Sequence, residues 1–158
     1  MDTKLDYKLL DGLKQSGDWF VRTDMDSKGY NGFVVAPLGD WNKCPRWSEK
    51  TRADCESGGF FGQAPDGWGY AHTGNRFVFC ETRGRRIAVD GNKIKVAEYR
   101  VLYEDQAAYD ALAYVCPNFG GTLPVVARQG ITLTLPKLTK AGDVWAYQGA
   151  TLTLPKLT

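Results

Sequence analysis

Apolar residues recur at two different periods along this chain. Near the start, Leu5, Leu9 and Leu13 return every four residues beside Leu10, a helical spacing that Gly12 weakens and Gly17 ends. One short amphipathic helix is predicted there. From Trp19 the period drops to two: in WFVRTDM, Trp19, Val21 and Thr23 fall on one side and Phe20, Arg22 and Asp24 on the other, as in a strand. GYNGFVVAPLG reads as a second strand closed by Pro37, and RFVFCET, RRIAV, NKIKV and EYRVLY as further short strands. Asp90-Gly91-Asn92, between RRIAV and KIKV, supplies residues that accept the positive φ of a tight hairpin. The alanine-rich DQAAYDALAYV has a capping residue at its start, Asp105, and Pro117 beyond its end, which favours a second short helix.

The end of the chain carries a repeat. VVARQGITLTLPKLT, from Val125 to Thr139, returns as VWAYQGATLTLPKLT from Val144 to Thr158, an offset of 19 residues with twelve of fifteen positions identical. In each copy leucines alternate with threonines, giving one apolar and one threonine face, and Pro136 or Pro155 stops the strand. A period near twenty with one strand per period suits a solenoid whose aligned leucines form a continuous core. About three coils are needed before such an array stands alone, so these two are expected to lean on the body, on another subunit or on a continuation. Leu112 to Phe119 repeats the apolar and proline spacing one period earlier, which opens a competing reading of that stretch as a preceding coil rather than a helix.

The fold expected is therefore α+β, predominantly β: a small twisted antiparallel sheet body with one or two short helices over residues 1–120, then two β-solenoid-like coils over 121–158.

Composition narrows the setting. The 158 residues, 43% apolar, suffice for one domain with a real core. Twenty basic against 18 acidic residues leave a net charge of +2, too balanced for general nucleic-acid binding and wrong for an acidic DNA mimic. The N-terminal stretch lacks a basic start followed by an apolar run, and no run of about 18 apolar residues exists to span a bilayer. A cytoplasmic protein without membrane contact is expected. Cys44, Cys55, Cys80 and Cys116 lie at wide, unequal intervals without a CxxC, so reduced thiols are expected rather than a disulfide framework.

The candidate chemistry concentrates in residues 40–75, a long irregular stretch rich in glycine and aromatics. Trp41, Trp47, Phe60, Phe61, Trp68 and Tyr70 stand there beside Arg46 and Arg52, a mixture suited to stacking a base or gripping a protein. The same aromatics also suit a satellite core beneath long loops. Arg22, Arg85 and Arg86 are candidate phosphate contacts, and Arg22 with Glu81 and Glu98 would make an ADP-ribosyltransferase-like arrangement, although no Ser-x-Ser or Glu-x-Glu accompanies them. Arg83 to Arg86 with Lys93 and Lys95 form a basic edge whose blander role is to guard an edge strand. His72 with Cys44, Cys55 and Cys80 matches no compact zinc module, so no metal or cofactor is expected.

WFVRTDM, YNGFVVAPLGDWNKCPRW, DCESGGFFG, RFVFCE and VDGNKIKVAEYRVLY together resemble a β-rich domain of uncharacterised phage and prophage proteins, over roughly residues 18–104. Many such proteins carry a Gly-Leu-His after the cysteine, where this chain has Gly58-Gly59-Phe60-Phe61, and many carry short C-terminal repeats like LTLPKLT. The resemblance implies a bacteriophage setting in which small accessory proteins bind host or defence components. The expected function is thus a non-enzymatic binding protein with a bacterial protein partner, an inhibitor of a host or defence complex. The alternatives are a nucleotide-binding or ADP-ribosyltransferase-like protein, and a structural module that forms a homo-oligomer through its C-terminal repeat.

Overall fold

The computed structural model describes residues 4–29, 33–51, 58–66, 74–90, 92–120 and 123–158. Helix α1 (Tyr7–Ser16) forms where the leucine spacing places it. Asp6 caps its start by accepting the Leu9 N–H, and Gly17 closes it in the left-handed region, φ 77°, donating to the Leu13 carbonyl. Strands β1 (Trp19–Asp24), β2 (Trp41–Lys43), β3 (Phe60–Gly62), β4 (Arg76–Val89) and β5 (Lys93–Glu104) follow, and then helix α2 (Asp105–Val115). The five strands make one antiparallel sheet among the described residues, ordered β1-β4-β5-β2, with β3 on the same edge of β5 as β2.

Several local expectations change in the structure. RFVFCET and RRIAV are one strand, bent by a register shift between Arg83 and Arg86 where Gly84 takes φ 77°. NKIKV and EYRVLY are likewise one strand, and β4 and β5 pair up to Val89 and Lys93. Asn92 takes φ 57° in their connection, while Gly91 lies outside the described residues. The expected second strand contributes only a bridge between Lys28 and Val34 in its described part, since the Val35 N–H bonds Ser27 and the Ala36 N–H bonds the Asn42 side chain. Helix α2 forms as the alanine-rich pattern suggests, so Leu112 to Val115 are helical rather than a preceding coil. Asp105 does not cap it; the residue is its first helical position, at φ 54°, and its carboxylate is drawn to Arg128 instead.

The sheet curls back on itself. Val21 and Gln63 exchange both backbone hydrogen bonds, at 2.9 and 2.8 Å, which joins the chain after β3 to β1 across the sheet's other edge. Closure requires glycine at position 62, where a Cβ would meet the Phe20 ring at 2.4 Å and the Val21 carbonyl at 2.8 Å. Two cores result. On the helix side, Leu10, Trp19, Phe77, Phe79 and Tyr109 pack with α1 and α2; on the opposite face, Phe20, Phe60, Val78, Cys80 and Tyr99 pack inside the curl.

The first C-terminal copy belongs to the helix-side core. It contributes Val125, Ala127, Leu133 and Leu135 from β6 (Val125–Ala127), β7 (Thr132–Thr134) and the residue following it. The Tyr109 hydroxyl donates to the Pro124 carbonyl and accepts the Val126 N–H, and the Gln106 amide exchanges hydrogen bonds with the Thr134 backbone. The first copy is therefore packed against the body. The second copy, with β8 (Val144–Ala146) and β9 (Thr151–Thr153), stacks on the first through parallel pairs in register at the 19-residue offset. Equivalent turns close both copies, with Gly130 and Gly149 each at φ 75°. Among the described residues no helix is long and apolar enough to cross a membrane.

Candidate binding surface

Strand pairing builds a tryptophan platform on the helix side of the sheet. Antiparallel register puts Trp41 opposite Arg100 and Lys43 opposite Glu98 on β5, while β4 sets Glu81 opposite Arg100 and Arg83 opposite Glu98. Partners directly opposite share a face. The Arg83 guanidinium lies 3.7 Å from the centre of the Trp41 ring and that of Arg100 lies 5.0 Å away, both within cation–π range. Each arginine is itself held by a carboxylate: Arg100 Nε donates to Glu81 at 2.7 Å, and Arg83 Nη2 to Glu98 at 3.2 Å. Lys43 adds a third cation 3.8 Å from Glu98. Trp41 remains partly exposed. An aromatic ring is thus fixed in one orientation by a ladder of alternating charge.

Trp47 is tied down differently. Its Nε1 donates to Glu49 at 2.8 Å, and the Lys95 ammonium lies 5.0 Å from its ring. Lys95 is fully buried, so it is not part of an exposed basic edge; it donates to the Ser48 and Lys50 carbonyls, at 2.6 Å each, and pins the loop that carries Trp47. Arg85 donates to Glu49, and these hydrogen bonds from Arg85 and Trp47 hold the Glu49 carboxyl below its usual range. Arg86 donates to Asp66 at 2.8 Å and to the Trp19 carbonyl.

The remaining expected contacts scatter. Phe60 is buried between Phe33 and Tyr99, Phe61 is half-buried and Arg46 is exposed. Arg52, Trp68 and Tyr70 lie outside the described residues, as do Cys55 and His72. Compared with protein-family models, curated proteins and solved structures, the chain matches none of them.

Arg22 lies on the opposite face from Glu81 and Glu98. Register fixes this: Glu81 faces Trp19, whereas Arg22 follows Phe20 on the other side of β1. The transferase-like trio is therefore not assembled, and both glutamates already serve arginines of the tryptophan platform. Inside the curl, the Arg22 guanidinium lies 5.1 Å from the Tyr99 ring centre and 6.0 Å from that of Phe60. Its Nε and Nη1 are buried without a hydrogen-bond partner among the described residues, and so is the Tyr99 hydroxyl. Burial pushes the Tyr99 phenol up to about 12 against the opposing pull of Arg22. Burial likewise pushes the Cys80 thiol far up, which suppresses its thiolate.

Arg83 and Arg100 were not singled out by the sequence as neighbours of Trp41. The signal existed in the period-two spacing of Glu81 with Arg83 and of Glu98 with Arg100, which places each pair on one strand face.

Proposed function

We propose that the chain is a non-enzymatic binding protein of phage or prophage origin, acting in the bacterial cytoplasm, that captures a bacterial protein through the Trp41 platform. The supporting observation is Trp41 held between Arg83 and Arg100, with both arginines braced by glutamates. Tryptophan and arginine dominate binding hot spots, and side chains ordered before contact lose little entropy on association. Inhibition of a host or defence complex follows if the captured face is one that complex needs. Affinity capture from bacterial lysate tests the reading. Trp41→Ala and Arg83→Ala abolish specific capture while far-UV circular dichroism stays unchanged; equal capture by wild type and both variants overturns it.

A second reading has its own observation. In the first copy Val125 and Val126 are 0% and 1% exposed, whereas their counterparts Val144 and Trp145 are each 45% exposed. Taken as a coil of a β-solenoid-like stack, the second copy would offer another strand the kind of surface that it covers on the first. On this reading the protein is a structural module that builds a homo-oligomer. Native mass spectrometry distinguishes the two: a multimer dispersed by Trp145→Asp favours assembly, and a monomer at high concentration removes it.

A further inference from the structure

Among the described residues, one positive charge inside the curl of the sheet, that of Arg22, makes no ion pair. Arg22 enters from β1 and rests against Tyr99 and Phe60, and a Cβ placed on Gly29 would lie 3.8 Å from its Nη2. The nearest carboxylate on its strand face, Asp24, is already committed. It takes a fork from Arg76, with Nε to Oδ1 at 3.0 Å and Nη2 to Oδ2 at 2.6 Å, and also accepts the Ser27 N–H. Arg22 Nε and Nη1 and the Tyr99 hydroxyl therefore all lack acceptors in one place, among the described residues. Leaving a buried charged donor unpaired costs more than the roughly 1–3 kcal/mol of a neutral one, and native proteins rarely tolerate it without a ligand or ordered water. Nε and Nη1 are themselves closed to solvent, while the residue as a whole keeps some contact with it.

We infer that Arg22 and the Tyr99 hydroxyl form the binding end of a phosphate site, which takes free phosphate or the terminal phosphoryl group of a small phosphomonoester. The guanidinium edge that pairs Nε with Nη2, as Arg76 uses on Asp24, matches two phosphate oxygens, and a phenol adds a third donor without adding charge. The aromatic wall is apolar and would strengthen the interaction by excluding water. This site is separate from the Trp41 platform, which lies on the other face, so each can fail without the other.

The test titrates the full chain with inorganic phosphate and, in a second arm, with adenosine monophosphate, each against chloride at matched ionic strength. In the wild type the Arg22 Nε–H resonance shifts saturably and the melting temperature rises with ligand. Arg22→Met keeps the length and apolar stem of the side chain and weakens binding at least about tenfold; Tyr99→Phe keeps the ring and weakens it by a smaller factor. Tighter binding of the nucleotide identifies a phosphomonoester as the ligand, and equal binding identifies free phosphate. A ligand effect of the same size in Arg22→Met overturns the site. If that variant does not fold, an unmoved wild-type Arg22 resonance at saturating phosphate overturns it alone.

Discussion

Arg128 of the first C-terminal copy donates through Nε to Asp105, the first residue of α2, at 2.8 Å, and its counterpart 19 residues later is Tyr147. The pair ends a chain of alternating charge. Arg128 also meets Glu104 at 3.2 Å, Glu104 meets Arg76 at 3.1 Å, and Arg76 grips Asp24, so one network runs from β1 to the first copy. Tyr147 instead donates through its hydroxyl to the Gly74 carbonyl. The two copies share a backbone, and Arg128 ties the first of them ionically to the body.

Arg128→Tyr, which makes the copies alike here, strands the Asp105 carboxylate. It should lower unfolding free energy by about 2 kcal/mol at neutral pH, read by urea denaturation. Burial raises the Asp105 pKa even with Arg128 opposing it. A raised carboxyl carries a stability deficit above its folded pKa that is relieved as pH falls through that value. Removing Arg128 raises it further. The difference between wild type and variant should therefore shrink as pH is lowered toward the unfolded carboxyl value near about 4.

The Arg76–Asp24 pair is enclosed, with side chains only 6% and 1% exposed. Asp24→Ala should cost about 3 kcal/mol, because it leaves the buried Arg76 guanidinium with the Glu104 bond alone. Arg85→Ala removes a pair whose side chains are about 60% exposed, and should leave the denaturation midpoint where it was.

Leu133 and Leu152 occupy equivalent positions in the two copies and are paired across β7 and β9. Leu133 is fully buried against α2, and Leu152 is only partly covered. Leu133→Ala should cost about 2–5 kcal/mol, and Leu152→Ala less than half as much in the same denaturation series.

Gly62→Ala drives a methyl group into the Phe20 ring and the Val21 carbonyl. The expected cost is about 1–3 kcal/mol, with loss of near-ultraviolet circular dichroism from the aromatic cluster inside the curl.

Local order was legible where one period ran uninterrupted. The leucines of α1, the β4–β5 hairpin and the two near-identical copies all carry their own spacing. The stretch around Val34 reads as a strand by composition, yet its described backbone groups bond Ser27 and Asn42, which no local pattern reveals. Phe60 and Trp41 look alike as loop aromatics, and long-range pairing alone separates them: β3 carries Phe60 into the curl, and β2 presents Trp41 to arginines from two other strands. Lys95 reads as an edge charge until the loop it holds is in place. Alternation did foretell that Arg22 and Trp19 face opposite ways, but it gave no register with which to set Glu81.

The most direct test of the proposed function places a photo-crosslinking side chain at Lys43, whose own side chain is 70% exposed at the rim of the Trp41 platform, with Lys156 on the second copy as the comparison position. Irradiation in bacterial cells should give one defined heterologous adduct from position 43 that disappears when Trp41→Ala is added. An adduct that forms equally from position 156, or that survives Trp41→Ala, would contradict the account.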